Sequence, residues 1–483
     1  MNFTRALNNK TKILCTVGPA ISSVEKIVAL IQAGANAFRL NMSHSSHQTH
    51  LESIRIIREA EKQLQYYVPI IADLQGPKLR VADLGVNGGI NLIPGREMYL
   101  ADTEYVKQNK LSYDEVIPIT YPTVAKDVKI EDAILFDDGL LKVQVIGKEG
   151  ELVKVVVING GLLKSRKGMN LPNTNFSQSV MTEKDAIDLK FAIENKVDYV
   201  AASFVRTASD VLRIRKFMQN FGVTIPIISK IEKPEAIVNL EKIIQVSDGV
   251  MVARGDLGVE ISSALVPIVQ KKIISMCNAY FKPVITATQM LESMIQNPRP
   301  TRAEASDVAN AVFDGTDAVM LSAETSVGAY PIEAVTYMRM ICSETERELH
   351  LDFHTIQYKT ASKEHKTDAI ASAAATMSSD PRISGIATLS LSGETALLIS
   401  KRRPNAPLIS FSEKIETVRR VGLYWGTTGF LIEQVTTTDQ TIEDIKLMLV
   451  KRKFYQAGTN IVITIGRPLQ KKSRTNMLSI ETL

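Results

Sequence analysis

The chain is poor in cysteine, has a single tryptophan and contains no long uninterrupted apolar segment. Its 483 residues include three cysteines, and no two of them form a CxxC pair. A disulfide framework and a thiolate zinc site are therefore both disfavoured. No run reaches the ~18 apolar residues that a membrane span requires. The opening MNFTRALNNKTK lacks the apolar core of a secretory signal. We therefore expect a cytoplasmic protein with no membrane partner.

Charge is nearly balanced along the chain. Lys and Arg number 57 against 52 Asp and Glu, which gives a net charge of +5, and no block of five like charges occurs. Such a dispersed, mildly basic surface favours small anionic ligands, and we expect no nucleic-acid partner. Hydrophobic residues make up 45% of the chain, which is typical of folded domains. The length predicts two to four of them.

Short apolar runs rich in β-branched residues alternate with amphipathic stretches of helical length. The eight runs lie at 11–17, 36–42, 69–75, 199–204, 225–232, 249–255, 283–289 and 318–325. Continuous apolar strands of this kind are typical of parallel sheets covered by helices. Between them, Thr182 with Asp185 predicts a helix N-cap, and Gly34 predicts a C-cap. Eight strand–helix units predict an α/β fold, a (β/α)8 TIM barrel.

Two regions depart from the barrel pattern. Residues 81–167 alternate with a period of two, and the runs around the turn GKEG predict a hairpin. We expect a small β-barrel lid domain there, inserted into a catalytic barrel formed by residues 1–80 and 168–350. Strand and helix signals resume after residue 350, which predicts a C-terminal α/β regulatory domain over 351–483. No internal repeat is evident.

Polar residues gather at the ends of the predicted barrel strands. They are Arg39, Asn41 and Ser43; Asp73 and Gln75; Lys230 and Glu232; Arg254, Gly255 and Asp256; Thr286, Thr288 and Gln289; and Ser322 and Glu324. In a (β/α)8 barrel these ends meet on the face that carries the chemistry. A single charged strand end is usually a loop residue or a structural ion pair. Six such ends that converge predict an active site.

The charges at these ends indicate a metal and a phosphate. Glu232 and Asp256 offer hard carboxylate oxygens for Mg²⁺ or Mn²⁺. Alternatively, they form a salt bridge with Lys230, and both arrangements can hold together. The cations Arg39, Arg80, Lys167 and Lys230 indicate a phosphate-bearing substrate. No Walker-type GxxxxGK[ST] motif occurs, so side chains, metal and strand-end amides must hold the phosphate.

Three histidines follow the second strand. His44, His47 and His50 are spaced three residues apart, which on a helix turns His50 well away from His44. We therefore do not expect this cluster to bind zinc. His44, nearest the strand end, is a candidate phosphate contact.

The ordered motifs resemble those of the pyruvate kinase family over nearly the whole chain. They are FRLNMSH (38–44), ADLQGPKLR (72–80), FDDG (136–139), ISKIEKPE (228–235), MVARGDLGVEI (251–261), TATQMLESM (286–294) and RPTRAEASDVANAVFDGTDAVMLSAET (299–325). The resemblance implies a barrel, a lid and a C-terminal α/β domain. It also implies the glycolytic reaction of phosphoenolpyruvate with ADP to give pyruvate and ATP, by phosphoryl transfer and then protonation of the enolate. A homotetramer is implied by the resemblance alone.

The resemblance also implies roles for individual residues. Those implied to be catalytic are Lys230, Thr288, Arg39, Ser322 and Glu324. Arg39, Lys230, Gly255, Asp256 and Thr288 would bind substrate, and Glu232 and Asp256 would bind Mg²⁺ or Mn²⁺. The implied nucleotide contacts are Arg80, His44, Lys167, Asn41 and Asp138.

One departure concerns the monovalent cation that most members need. The resemblance places its ligands at Asn41, Ser43, Asp73 and the carbonyl of Leu74. Those members carry Glu where this chain has Lys78, so the segment resembles the potassium-independent branch. A tethered ammonium can supply the charge that potassium otherwise provides, and we expect potassium not to be required. The alternative is that Lys78 is a solvated surface lysine and that potassium still binds.

The C-terminal domain carries a candidate effector loop. Ser390, Ser392, Gly393 and Thr395 lie between a predicted strand and helix, and hydroxyls with amides at such a junction can cradle phosphate. In this family the loop binds a phosphorylated allosteric effector. Leu391 and Glu394 stand where some members have basic residues, which favours a sugar monophosphate or AMP over a bisphosphate. An ordinary strand–helix turn is the alternative. The run at 401–403 is expected to be a solvated helix face.

Two other functions remain open at this point. A metal-dependent lyase or aldolase that acts on pyruvate enolate would share the barrel, the acid pair and the enolate. The inserted lid and the nucleotide-phosphate cations disfavour it. A non-catalytic metabolite sensor would be expected to lack Lys230, Glu232 or Asp256, and all three are present.

Overall fold

The computed structural model describes residues 10–85, 89–172, 174, 180–349, 365–469 and 474–483. Strands are numbered β1–β21 in chain order. Within these ranges, no helix combines the length and apolar character needed to cross a bilayer.

Eight parallel strands of the described chain close into a barrel, as the sequence predicts. They are β1 (Lys12–Thr16), β2 (Ala37–Asn41), β3 (Ile70–Asp73), β12 (Tyr199–Ala202), β13 (Ile227–Ile231), β14 (Gly249–Ala253), β15 (Val284–Ala287) and β16 (Ala318–Leu321). Strand β1 closes the barrel by pairing with β16, with Lys12 opposite Ala318. Nearly every residue of these strands is buried, because the helices cover the outside and side chains fill the inside.

The barrel helices carry the caps that their sequences predict. Thr182 and Asp185 form a reciprocal capping box, and Gly34 ends the first helix at φ +133°. The helices around the barrel are Val24–Ala33, His47–Leu64, Glu183–Glu194, Ala208–Gln219, Pro234–Val238, Leu240–Val246, Arg254–Glu260, Val266–Ala279, Arg302–Phe313, Ala323–Ser326 and Pro331–Arg347. Short 3-10 helices lie at Pro19–Ile21, Ser263–Leu265 and Glu292–Ile295.

The insert after β3 is a curled sheet domain with its own apolar core. Its strands are β4 (Ile90–Leu92), β5 (Glu97–Asp102), β6 (Val116–Ile119), β7 (Ala133–Phe136), β8 (Leu141–Glu149), β9 (Leu152–Asn159), β10 (Gly161–Leu163) and β11 (Met169–Asn170). Strands β8 and β9 form the predicted antiparallel hairpin. Two helices, Thr103–Gln108 and Val124–Asp127, accompany the sheet. Strand β11 pairs with β7 as the chain returns to the barrel, so it joins the two domains.

The C-terminal domain is a sheet in the order β19-β18-β17-β20-β21 with helices on it. Its strands are β17 (Ile383–Leu389), β18 (Leu408–Ser412), β19 (Thr427–Leu431), β20 (Asn460–Ile465) and the antiparallel β21 (Met477–Thr482). Its helices are His365–Met377, Glu394–Ser400, Ile415–Arg420 and Thr438–Lys451, with a 3-10 helix at Val421–Leu423. These strands and helices bear out the α/β character that the sequence predicts for this region.

The amino ends of the even-numbered barrel strands repeat one contact that the sequence did not reveal. Before β2, β12, β14 and β16 stand Asn36, Asp198, Asp248 and Asp317. Each side chain accepts a hydrogen bond from the first amides of the preceding barrel strand, at 2.7–3.0 Å. These contacts satisfy donors that the ladder leaves unpaired at the base of the barrel.

The expectation for residues 401–403 is wrong. Lys401 is 1% exposed, and its ammonium contacts Asp317 at 2.6 Å and Asn278 at 2.5 Å. Arg403 is also buried and lies 3.0 Å from Asp317. The base of the barrel covers this helix end, so these cations belong to the junction between the domains and not to a solvated face.

Candidate active site

Lys230 lies at the centre of the polar cluster on the carboxyl face of the barrel. Its position near the end of β13 places the ammonium among side chains from β3, β12 and β13. Lys230 Nζ lies 2.9 Å from Glu232 Oε1 and 3.2 Å from Asp73 Oδ1, and it donates to Ser203 Oγ at 2.7 Å. The side chain is 12% exposed, so one edge of the ammonium remains accessible to a ligand.

Asp73 joins two of the predicted site cations. Its carboxylate, 1% exposed, contacts Arg39 Nε at 2.6 Å as well as Lys230. Arg39 also donates to Thr16 Oγ1 at 3.2 Å, which ties β2 to the end of β1. Burial raises the pKa of Asp73, but Lys230 and Arg39 outweigh burial and hold it below its ordinary value. Asp73 therefore stays ionised and fixes both cations.

Glu232 is fully buried directly after β13. Its Oε2 accepts from the backbone N–H of Phe204 at 2.8 Å. Its Oε1 touches Lys230 but accepts no well-formed hydrogen bond from any described residue. Burial raises the pKa of Glu232 and Asp256 raises it further, while Lys230 lowers it. Asp256 is therefore close enough to act on Glu232 electrostatically.

These two carboxylates fit a hard divalent cation. Glu232 Oε1 has unused acceptor capacity, and half-buried Asp256 lines the cleft. No cluster of three or more His, Cys, Asp or Glu that could hold a metal occurs among the described residues. A cation held by two protein carboxylates would need the rest of its oxygen ligands from substrate and water, as Mg²⁺ commonly does in phosphate chemistry.

The opposing charges around Lys230 keep it protonated. Burial lowers the pKa of Lys230, but Asp73, Glu232 and Asp256 outweigh burial and raise it above the ordinary value of a lysine. The ammonium is therefore a permanent positive charge in the site. It suits a role in stabilising negative charge and does not suit a role as a proton donor near neutral pH.

Thr288 and Gly255 meet where β14 and β15 end. The N–H of Gly255 donates to Thr288 Oγ1 at 2.8 Å. Thr288 adopts φ +72°, a conformation that is strained for a β-branched residue. Arg254 stabilises this bend by donating to the Thr288 carbonyl at 2.6 Å, and Asp307 holds Arg254 at 2.7 Å. Arg254, which the sequence placed among the polar strand ends, is thus buried beneath the site as a support.

Ser322 and Glu324 meet after β16. Glu324 is 2% exposed and accepts from the N–H groups of Ser322 at 2.7 Å and Leu291 at 3.2 Å. Burial raises the pKa of Glu324 despite these hydrogen bonds. Ser322 Oγ has no hydrogen-bond partner in the described chain. The pair therefore fixes the loop after β16 and leaves one hydroxyl available.

A cleft separates this cluster from the lid. It is lined by Pro77, Lys78, Leu79, Asp138, Gly168, Met169, Asn170, Phe204, Arg206, Lys233 and Asp256. Lys167 does not line it and instead pairs with Asp137 at 2.7 Å across the lid hinge. Arg80 lies at the same hinge, where its NH1 donates to the Arg166 carbonyl at 3.3 Å.

Two of the three histidines are engaged by separate protein groups. His47 pairs with Asp188 at 2.7 Å, and His50 Nε2 lies 2.9 Å from the His44 carbonyl. His44 itself is exposed. Burial, followed by Arg80, Lys78 and Arg39, lowers its pKa. His44 therefore lies close enough to the cations of the site for their charge to disfavour its protonation.

The four residues assigned to a monovalent cation are partly engaged by protein groups. Asp73 is occupied by Arg39 and Lys230, and the Leu74 carbonyl accepts from Ser203 Oγ at 2.7 Å. Asn41 Oδ1 accepts from the N–H of Ser43 at 3.2 Å. Half-buried Lys78 faces the cleft, and no ion pair of Lys78 is seen in the described part of the chain.

Sequence reasoning missed several residues at the same rim. Ser203 and Phe204 follow β12, and Thr16 ends β1, so both strands contribute to the cluster. The signal was available, because Ser203 is polar at a strand end just as Ser43 and Ser322 are, but no charged residue accompanies it at the end of that run. Lys233 was also missed. It is 4% exposed and pairs with Glu260 at 2.5 Å.

The predicted effector loop lines a separate cavity in the C-terminal domain. Ser390, Ser392 and Thr395 border it, together with Arg474, which sequence reasoning did not select. The N–H of Gly393 donates to Ser390 Oγ at 3.0 Å, and Gly393 adopts φ +83°, which shapes the turn. Thr395 Oγ1 lies 2.6 Å from Thr475 Oγ1.

Two family models match the chain over most of its length. The model for the pyruvate kinase barrel domain matches residues 8–335, and the model for the pyruvate kinase alpha/beta domain matches residues 368–481. The chain belongs to the pyruvate kinase family. The predicted resemblance is confirmed, and so is the predicted arrangement of barrel, inserted sheet and C-terminal α/β domain.

Individual pyruvate kinases align over nearly all of the chain. That of Geobacillus stearothermophilus is 43% identical over 481 residues, covering 99% of this chain and 81% of the relative. That of Clostridium acetobutylicum is 42% identical over 475 residues, covering 98% of this chain and 99% of the relative. A crystal structure of a pyruvate kinase from Cryptosporidium parvum superposes with a TM-score of 0.91 at 34% identity, covering 99% of this chain and 97% of the other. Pyruvate kinases are phosphotransferases that generally need a divalent metal.

Proposed function

We propose that the chain transfers the phosphoryl group of phosphoenolpyruvate to ADP, giving pyruvate and ATP. The observation that carries this is the meeting of Lys230, Glu232 and Asp73 at 2.9–3.2 Å beneath a cleft lined by further cations. A fixed ammonium beside a carboxylate oxygen with unused acceptor capacity suits charge that develops on an enolate oxygen and on a phosphoryl group.

Lys230 and Arg39 are the proposed phosphoryl and enolate contacts. Asp73 holds both in place, so neither must reorganise when negative charge develops. Glu232 and Asp256 would hold Mg²⁺ or Mn²⁺, which when bound supplies Lewis-acid stabilisation of substrate oxygens. Gly255 and Asp256 would add backbone contacts to the same substrate.

We assign protonation of the enolate carbon to the side of the site that is formed by the residues after β15 and β16. Thr288 would orient the proton through its hydroxyl, which Gly255 N–H already fixes. Ser322 offers an available hydroxyl, and Glu324 holds the loop that carries it. Lys230 is not the donor, because its neighbours keep its pKa raised.

The nucleotide is proposed to enter between lid and barrel. Arg80, His44 and Asn41 would contact the nucleotide from the barrel, and Lys167 and Asp138 would contact it from the lid. Lid closure would bring the two groups together around the phosphates and exclude water, which would otherwise compete for the phosphoryl group.

The direct test is pyruvate formation with phosphoenolpyruvate, Mn²⁺ and either ADP or no nucleotide. We expect release only with ADP, and we expect Lys230→Met to abolish it, whereas the exposed helix variant Lys190→Met should match wild type. Pyruvate release without ADP would instead favour the lyase alternative. Full activity of Lys230→Met would contradict the proposed site.

Potassium independence is proposed from Lys78 and from the occupied state of the potassium ligands. Asp73 already contacts Arg39 and Lys230, so its carboxylate would attract a bound potassium ion less strongly than a free carboxylate would. Turnover should persist with tetramethylammonium as the sole monovalent cation, and Lys78→Glu should create a potassium requirement. The exposed lid variant Lys164→Glu is the control. A large rise in wild-type activity on adding potassium would refute the proposal.

A phosphorylated effector, a sugar monophosphate or AMP, is proposed for the cavity bordered by Ser390, Ser392 and Arg474. Hydroxyls with one cation suit a single phosphate, and the carboxylates of Glu394 and Glu413 at the same cavity disfavour a second one. The effector should lower the phosphoenolpyruvate concentration at half-maximal rate, and Ser392→Glu should remove that shift by repulsion. The exposed variant Ser379→Glu should retain it. No shift with any phosphorylated compound would leave the loop as an ordinary turn.

A homotetramer is proposed because apolar side chains are exposed on packed barrel helices and on a sheet edge. Phe313, Ile332 and Met340 are 38–50% exposed on two neighbouring helices, and Ile480 is 54% exposed on the edge strand β21. Exposed apolar patches and edge strands commonly mark subunit contacts. Light scattering of the full chain distinguishes monomer, dimer and tetramer.

A further inference from the structure

Lys233 and Glu260 form a buried ion pair where the lid meets the barrel. Lys233 Nζ lies 2.5 Å from Glu260 Oε1, and the two side chains are 6% and 0% exposed. A buried pair of opposite charges is weak evidence for stability, since desolvation opposes the attraction. Stability alone therefore does not explain why this pair lies at the contact between lid and barrel.

The pair is also bonded to the lid. Asn170 Nδ2, on the returning strand β11, donates to the same Glu260 oxygen at 2.8 Å. Strand β11 pairs with β7, which leads into the turn that carries Asp138. That turn also approaches the barrel beside Glu260, because a Cβ added to Gly139 would lie 3.7 Å from Val259. The lid therefore rests on the end of the helix Arg254–Glu260.

The two charged residues are covalently close to the proposed metal ligands. Lys233 directly follows Glu232, and Glu260 ends the helix whose third residue is Asp256. Lys233 Nζ also lies 6.0 Å from the ring of Phe204, whose N–H holds Glu232. The pair therefore lies beside the segments that carry both carboxylates.

We propose that Lys233 and Glu260 are positioning residues that latch β11 of the lid through Asn170 and so set how readily the lid closes over the nucleotide. This rests on the proposed function for the meaning of closure, but the latch itself is a property of the ligand-free chain. The pair holds Asn170 with a charge-assisted hydrogen bond, which is stronger than a neutral one.

The first test is amide hydrogen exchange of the ligand-free protein. Asn170→Ala should raise the exchange rate of peptides covering 133–139 and 168–170 by about tenfold, as expected when one charge-assisted hydrogen bond is lost. The matched control is Asn109→Ala, which removes a lid asparagine whose Nδ2 bonds to Tyr105 within the lid. Equal exchange in both variants and wild type would overturn the latch.

The second test separates positioning from folding by steady-state kinetics. Asn170→Ala and Lys233→Met should raise KM for ADP about fivefold to tenfold and leave KM for phosphoenolpyruvate within about twofold. Lys233→Arg keeps the charge and should restore KM for ADP. If Lys233→Met fails to fold, the two KM values still test the proposal: KM for ADP should rise in Asn170→Ala and stay at the wild-type value in Lys233→Arg. Equal rises in both KM values, or no rescue by arginine, would overturn the proposal.

The proposed function and the proposed latch can be refuted separately. If wild type forms no pyruvate from phosphoenolpyruvate and ADP, the proposed function is wrong, yet the exchange test still decides the latch. If wild type is active while Asn170→Ala behaves as Asn109→Ala does in both tests, the latch is wrong and the proposed function stands.

Discussion

Substitution of Asp73 by Asn tests whether one carboxylate fixes both cations of the site. The change removes a charge that is 1% exposed and lies 2.6 Å from Arg39 and 3.2 Å from Lys230. Removing one partner of a buried ion pair typically costs about 3–5 kcal/mol, because the remaining charge is left without compensation. Glu232 still contacts Lys230, so the lower part of that range applies.

We expect the loss to fall on catalysis as well as on stability. A misplacement that costs about 3–4 kcal/mol in the transition state lowers kcat/KM for phosphoenolpyruvate by about 10²–10³, since each 1.36 kcal/mol is tenfold. Coupled pyruvate assays give this ratio directly. Thermal unfolding of the same sample gives the accompanying change in Tm.

The matched control is Asp198→Asn at the opposite end of the barrel. Asp198 is equally buried and pairs with Arg58 at 2.7 Å, but it lies before β12 and away from the site. The Asp198→Asn substitution should lower Tm about as much as Asp73→Asn does. Its kcat/KM per folded molecule should stay within about threefold of the wild-type value. If Asp73→Asn retains activity comparable to Asp198→Asn, the reasoning that Asp73 positions the two cations is refuted.

Three further predictions concern charge and assembly. Burial lowers the pKa of Lys12 from 10.5 to about 8, so between these values the unfolded chain binds more protons and stability rises with pH. Lys12→Met should therefore be the more stable protein at pH 7, by at most about 3 kcal/mol, with a gap that shrinks by pH 10. A constant difference in Tm across that window would contradict this. Lys401→Met should lower Tm more than Arg402→Met, because Lys401 is buried against Asp317 of the barrel whereas Arg402 pairs with Asp368 of its own domain, and equal Tm values would contradict that role. Ile480→Lys should reduce the molar mass measured by light scattering, and an unchanged mass would exclude β21 from the subunit contacts.

Much of the fold could be predicted because its signals are local. Barrel strands are buried on both faces, so each is a continuous apolar run, and the β8–β9 hairpin alternates around its turn. The meeting of Lys230 and Glu232 with Asp73 was also predictable in outline. Parallel strands present their carboxyl ends at one face of a barrel, so polar ends converge.

The remainder depends on contacts between distant segments. Lys401 meets Asp317 across 84 residues, and only the docking of two domains makes that lysine a buried one. Lys233 resembled an ordinary loop lysine until the lid strand brought Asn170 onto Glu260. Asp198, Asp248 and Asp317 each stand two residues before a valine at the start of an apolar run. Only the barrel ladder shows that these carboxylates, like the Asn36 amide, accept from the amino end of the preceding strand.

Titration of the ligand-free chain with Mn²⁺, followed by electron paramagnetic resonance of the free ion, tests most directly whether Glu232 and Asp256 share one cation. Wild type should bind one ion, and Glu232→Gln and Asp256→Asn should each weaken that binding by about a hundredfold or more, since a lost ligand should cost at least as much as a lost supporting contact. Asp198→Asn should bind as wild type does. Wild-type affinity in either Glu232→Gln or Asp256→Asn would contradict the account.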